Sequence, residues 1–220
     1  MLKIFFHQLP KRLTLPYCNG LWFWHIVAIV ATAIIVLTGF DWWFFRHTRS
    51  EVFVPLIRLG GLGGMLVPIL LPIALYILAR DKKDEYLLRV AVAVTQSAAV
   101  AWIIVAVYKA FTGRIQPKAL FAADTMSASS GFQFGFWEHG IFWGWPSHHT
   151  VVAVAMATVL FLAFRSPLVR LGAIVWAVIV ATAAAVGFHW FSDAVAGAIV
   201  GVVTGFAIWK DVKKSPIELE

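Results

Sequence analysis

Six apolar stretches take up most of this chain, at about residues 21–40, 65–79, 86–110, 149–164, 168–188 and 189–209. A helix needs about 20 apolar residues to cross the hydrocarbon layer of a bilayer, and most of these stretches approach that length. The chain has 220 residues, is 61% hydrophobic and 13% charged, and has a mean hydropathy of +0.83. A soluble domain of this size could not enclose so much apolar surface. Helices satisfy their own backbone groups in lipid, so the pattern predicts an all-α fold, a six-transmembrane helical bundle. The length suits one membrane domain, residues 21–209, between an N-terminal segment 1–20 and a tail 210–220.

Residues 1–20 carry Lys3, Lys11 and Arg12 among Phe5, Phe6 and Leu9. This predicts a segment lying at the membrane surface, and Pro10 and Pro16 interrupt any single helix. A basic start before an apolar run also resembles a signal peptide. No small-residue cleavage pattern follows in Asp41-Trp42-Trp43, so 21–40 is read as a retained first span. Gly60, Gly61, Gly63 and Gly64 precede the second apolar stretch. Without a P-loop lysine they predict close helix packing and not a phosphate cradle.

The formal net charge is +7. No basic run is interleaved with aromatics as a nucleic-acid groove would need, so no nucleic-acid partner is expected. The charge reads instead as orientation. Six spans put both termini on one side. That side carries twelve basic residues: Lys3, Lys11, Arg12, Arg80, Lys82, Lys83, Arg89, Arg165, Arg170, Lys210, Lys213 and Lys214. The other carries six: Arg46, Arg49, Arg58, Lys109, Arg114 and Lys118. Positive-inside bias then makes the termini cytoplasmic. Cys18 is the single cysteine, so no intrachain disulfide can form.

Three polar clusters fall on the opposite, exoplasmic face. His189 and Asp193 are four apart at a helix start, hence on one helix face. A carboxylate there can fix one imidazole tautomer and leave the other nitrogen nucleophilic, or simply form a structural pair. Pro146-Ser147-His148-His149 opens another helix. Its free amides and the Ser147 hydroxyl can hold an anion and a histidine can protonate a leaving oxygen, while Ser147 alone would also cap the helix. Lys109 and Arg114 close the third apolar stretch and could clamp phosphate oxygens or reach lipid headgroups. Together the clusters fit phosphoryl transfer through a phosphohistidine.

These residues resemble the type 2 phosphatidic acid phosphatase superfamily, membrane lipid phosphatases and phosphotransferases. Its first motif, Lys, six residues, Arg-Pro, is matched by Lys109-Ala-Phe-Thr-Gly-Arg114-Ile-Gln116-Pro117. Its second, Pro-Ser-Gly-His, is matched by Pro146-Ser147-His148-His149, and the His and Asp of its third by His189 and Asp193. The likeness covers about residues 60–209. It implies that His189 attacks phosphorus, Asp193 orients it and His149 protonates the leaving oxygen. Lys109, Arg114, Ser147, His148 and Gln116 would then surround the phosphate. It also implies no cofactor and no metal.

The departures are specific. Gln116 stands at the first-motif Arg, Ala183 at the third-motif Arg, and His148 at the second-motif Gly. The loss of one charge-stabilising donor costs a factor of about 100 to 1,000 in rate. The expected activity is a phosphatase acting on a lipid phosphomonoester or diphosphate in a bacterial inner membrane, with membrane lipids as the other partners. A lipid phosphotransferase on the same fold, an impaired headgroup-binding protein and a transporter stay open. So does a metal site built from His148, His149, His189 and Asp193.

Overall fold

A computed structural model describes residues 8–117, 129–138 and 140–215. The expectations for Lys3, Phe5, Phe6 and Lys118 lie outside the described residues. The helices are α1 (Leu9–Arg12), α2 (Trp22–Leu37), α3 (Phe40–Thr48), α4 (Val54–Lys82), α5 (Glu85–Phe111), α6 (His148–Ala163), α7 (Pro167–Gly187) and α8 (Phe191–Val212). Short 3-10 turns at Leu15–Tyr17 and Glu51–Phe53 join them. Among the described residues the fold is mostly helical, with a two-stranded ribbon in the long connection. In it Thr112–Arg114 pairs antiparallel with Phe132–Phe134, and Arg114 stands opposite Phe132.

Among the described residues, four helical segments are long and apolar enough to cross a membrane: Glu51–Lys82, Glu85–Phe111, Pro167–Gly187 and Phe191–Val212. Leu9–Tyr17 and Trp22–Leu37 meet the same test as a pair bent by 60°. Helix α6 is apolar but has 16 residues. The chain is therefore an integral membrane protein.

One local expectation changes. Helix α4 begins at Val54, with Pro55 in its first turn, so the four glycines lie inside the helix and not ahead of it. Their packing role holds at two of them. A Cβ on Gly60 would overlap that of Ala183, and one on Gly64 would sit 2.9 Å from His149 Cδ2. Residues 8–17 fold against the bundle, touching α5 and α8. There buried Arg12 donates through Nε to Asp211 at 2.8 Å and through Nη2 to Ser215 at 2.9 Å. A guanidinium placed this way needs such partners, and a carboxylate supplies the strongest.

Helices α5 and α8 are the most enclosed of the span-length segments, and α6 packs most extensively on α8. The cause is a small-residue stripe, Gly197, Gly201 and Gly205, at four-residue spacing on α8. A Cβ at Gly201 would lie 2.8 Å from the Val151 carbonyl, and one at Gly197 would lie 3.0 Å from Thr150 Cβ. Backbones can approach so closely only where side chains are absent. The starts of α6 and α8 therefore meet, and the Ser147 amide donates to the Asp193 carbonyl at 3.2 Å.

Candidate active site

The turn between α7 and α8 places His189. Phe188 and His189 both send their amides back to the Ala184 carbonyl, at 3.1 and 2.9 Å, which ends α7 and aims the imidazole inward. Asp193 lies in the first turn of α8 and is fully buried. Its Oδ2 accepts from His189 Nδ1 at 3.2 Å and from the Trp190 amide at 3.3 Å. One carboxylate oxygen thus caps the helix and holds the imidazole, with His189 lying just ahead of α8 and not on its face.

Helix α6 supplies the facing wall. Ser147 is its N-cap: the Oγ accepts from the Thr150 amide at 3.5 Å and from the Thr150 hydroxyl at 3.2 Å. Ser147 is enclosed and does not line the cavity described below. The two histidines that follow diverge. His148 lies against the Trp102 ring of α5 with centroids 5.5 Å apart, and His149 against Phe188 at 5.2 Å. Among the described residues, His148 Nε2 and His149 Nδ1 are buried without a hydrogen-bond partner. A buried polar atom left so carries a cost that a ligand can relieve.

These side chains border a cavity of about 500 Å³, lined by Lys109, His148, His149 and His189 at its polar end. Met65, Pro68, Ile69, Trp102 and Val152 form its apolar side. Lys109 is nearly fully buried at the end of α5, and its Nζ donates to the Phe142 carbonyl at 3.1 Å. Three histidines, one lysine and an apolar flank suit an anionic group attached to a hydrocarbon tail.

The remaining residues expected at the site stand behind this wall. Arg114 is fully enclosed and does not line the cavity. It donates through Nη1 to Asp193 Oδ1 and through Nη2 to Asp41 Oδ2 at 2.7 Å. Gln116 donates to the Gly144 carbonyl at 3.1 Å, and its Oε1 is buried without a partner among the described residues. Ala183 faces Gly60 of α4.

Asp41, Ser129 and Ser192 are buried members of this inner cluster that the sequence reading did not single out. The one sequence signal was an acid closing an apolar stretch with no basic neighbour, which in a membrane chain implies a buried partner.

Burial pushes the His189 imidazole down to about 4, well below the ordinary histidine value. The Asp193 hydrogen bond opposes the shift, and the neighbouring Lys109 and His149 add to it. His189 is therefore neutral at pH 7. Among the described residues, no group of three or more His, Cys, Asp and Glu side chains is disposed to hold a metal ion.

A family model described as the PAP2 superfamily matches residues 87–217. This is more than half of the chain and includes all three polar clusters. No curated protein and no solved structure matches the chain.

Proposed function

Because the chain belongs to the PAP2 superfamily, we propose that it is an integral-membrane lipid phosphate phosphatase working through a phosphohistidine. The observation that carries this reading is the 3.2 Å bond from His189 Nδ1 to Asp193 in the wall of a cavity shared with His149 and Lys109.

In this mechanism Nδ1 carries the proton that Asp193 accepts, and Nε2 is left as the nucleophile. Nε2 attacks phosphorus, the P–O bond to the lipid alcohol or phosphate breaks, and His149 gives its proton to the departing oxygen. Asp193 stabilises the imidazolium so formed. Water then attacks the phosphohistidine, His149 takes its proton, the P–N bond breaks, and neutral His189 and phosphate are restored. Lys109 offsets the charge of the phosphoryl oxygens, with His148 as a further donor where the family has glycine. Ser147 sets the α6 start from which both histidines project. No step calls for a metal or a cofactor.

In this reading α6 and the bent pair count as spans, giving six. Both termini are cytoplasmic, and the cavity opens on the exoplasmic face of a bacterial inner membrane. The apolar flank of Met65, Pro68, Ile69 and Trp102 favours a substrate whose phosphate is carried on a hydrocarbon chain over a soluble phosphate ester.

The test is phosphate release from a panel of lipid phosphomonoesters and diphosphates in detergent, with water as the sole acceptor and His189→Ala as control. Release by the native chain and none by the variant is the expected result. Equal release by both, or none by the native chain on any lipid, would reject the reading.

A further inference from the structure

A second carboxylate stands behind Asp193 that the mechanism above does not use. Asp41 is the second residue of α3 and is fully buried. Its Oδ1 accepts from the Ser192 amide at 2.8 Å, and its Oδ2 from the Ser192 hydroxyl at 2.6 Å and from Arg114 Nη2 at 2.7 Å. The other end of the fork, Arg114 Nη1, bonds to Asp193 Oδ1 and to Ser192 Oγ at 2.9 Å. Arg114 Nε donates to the Ser129 carbonyl at 3.2 Å, and the Phe132 ring lies 4.5 Å from Cζ. One guanidinium thus bridges two carboxylates, and only Asp193 touches His189.

We propose that Asp41 is a positioning residue for His189, acting through Arg114 and Asp193. The inference rests on His189 being the nucleophile. It moves Arg114 from a direct grip on phosphate to support of the nucleophile's orienting acid.

Charge balance is the first reason. Two carboxylates and one guanidinium leave the enclosed cluster with one net negative charge. That charge is matched when His189 becomes cationic, as it does in the phosphohistidine. Without Asp41, the whole guanidinium charge would bear on Asp193 and cancel the field that stabilises the imidazolium. Geometry is the second reason. With Oδ1 held by Arg114, Asp193 presents Oδ2 to His189 in one orientation.

The other groups facing His189 are Lys109 from α5, and His148 and His149 from α6. Arg49, which follows α3, donates to the Gly187 carbonyl two residues away. Substitution of Asp41 removes a charge from none of these.

The experiment uses the full chain in detergent, with histidine labelled by nitrogen-15 and the His189 signal assigned by its loss in His189→Gln. Native protein is expected to show the Nδ1–H tautomer. In Asp41→Asn, loss of a negative charge disfavours the cation. The His189 titration and the acid limb of kcat/KM should therefore both move to lower pH. The value of kcat should fall about tenfold or more while KM changes less than about twofold. The Asp41→Asn/Asp193→Asn double variant should be no slower than Asp193→Asn alone.

Arg114→Lys keeps the charge but loses the fork, and should show the same kcat loss. A raised KM with kcat intact in that variant would mean Arg114 grips phosphate, and would overturn the inference. So would an unchanged His189 titration in Asp41→Asn. If Asp41→Asn does not fold, Ser192→Ala removes the hydroxyl shared by Asp41 and Arg114, and should shift the titration in the same direction by less. The nitrogen signals need no turnover. A shifted titration in a chain that releases no phosphate from any lipid supports the coupling and rejects the phosphatase reading. Turnover with no shift overturns the coupling alone.

Discussion

Ala183 lies directly against Gly60, in a contact so close that a Cβ on Gly60 would overlap its own. Helices α4 and α7 therefore meet backbone to backbone at the position where the family motif carries an arginine. The missing arginine and the glycine are two sides of one packing solution. Ala183→Arg is expected to destabilise the protein by about 1–3 kcal/mol through overpacking, and not to raise turnover. Thermal unfolding in detergent together with phosphate release checks this. A folded Ala183→Arg variant with faster release would show that the site was only waiting for the cation.

Gly64 tests whether the α4 glycines reach into the chemistry. A Cβ there would sit 2.9 Å from His149 Cδ2 and 3.1 Å from Val180 Cγ1. Gly to Ala inside a helix otherwise stabilises by about 0.5–1 kcal/mol. The His149 ring must yield, so Gly64→Ala is expected to stay folded and lose about tenfold to a hundredfold in kcat. Gly63→Ala, whose nearest neighbour would be Trp176 Nε1 at 3.7 Å, is the control expected to retain activity.

The pH profile follows from His189. Its imidazole is held down to about 4, mainly by burial. The neutral form is the nucleophile, so activity is lost as pH falls through that value and persists below the ordinary histidine range. The acid limb of kcat/KM assigned to His189 should therefore lie near pH 4, not near 6.5. A limb at 6.5 that stays in place in His149→Gln would show that His189 is solvated and unshifted.

How much of this was legible in the sequence depended on range. His189 and Asp193 are four residues apart across the start of α8, so their pairing could be read from spacing although His189 lies ahead of the helix. Ser147 as a cap needed only the residues that follow it. Asp41 could not be found this way, because its partners lie 73 and 151 positions away. The spacing of Lys109 and Arg114 placed both near a helix end but not the direction of either side chain. One borders the cavity, and the other turns behind Asp193. The apolar stretches located the helices well, yet hydropathy could not show that glycines 60–64 continue α4. Nor could it show that Arg12 is buried against Gln96 of α5 and against Asp211 and Ser215 at the end of α8. The Gly197, Gly201 and Gly205 stripe was readable in principle as small residues at four-residue spacing. Its significance appears only when α6 is seen packed on it.

The proposed mechanism has His189 carry the phosphoryl group. Its most direct test is rapid acid-free quenching of the native chain during turnover of a cleaved lipid phosphate, followed by peptide mass spectrometry under alkaline conditions that preserve phosphohistidine. A phosphate adduct on His189, absent in Asp193→Asn and in protein without substrate, is the predicted result. Sustained phosphate release with His189 unmodified at every quench time, or an adduct on His148 or His149 instead, would contradict it.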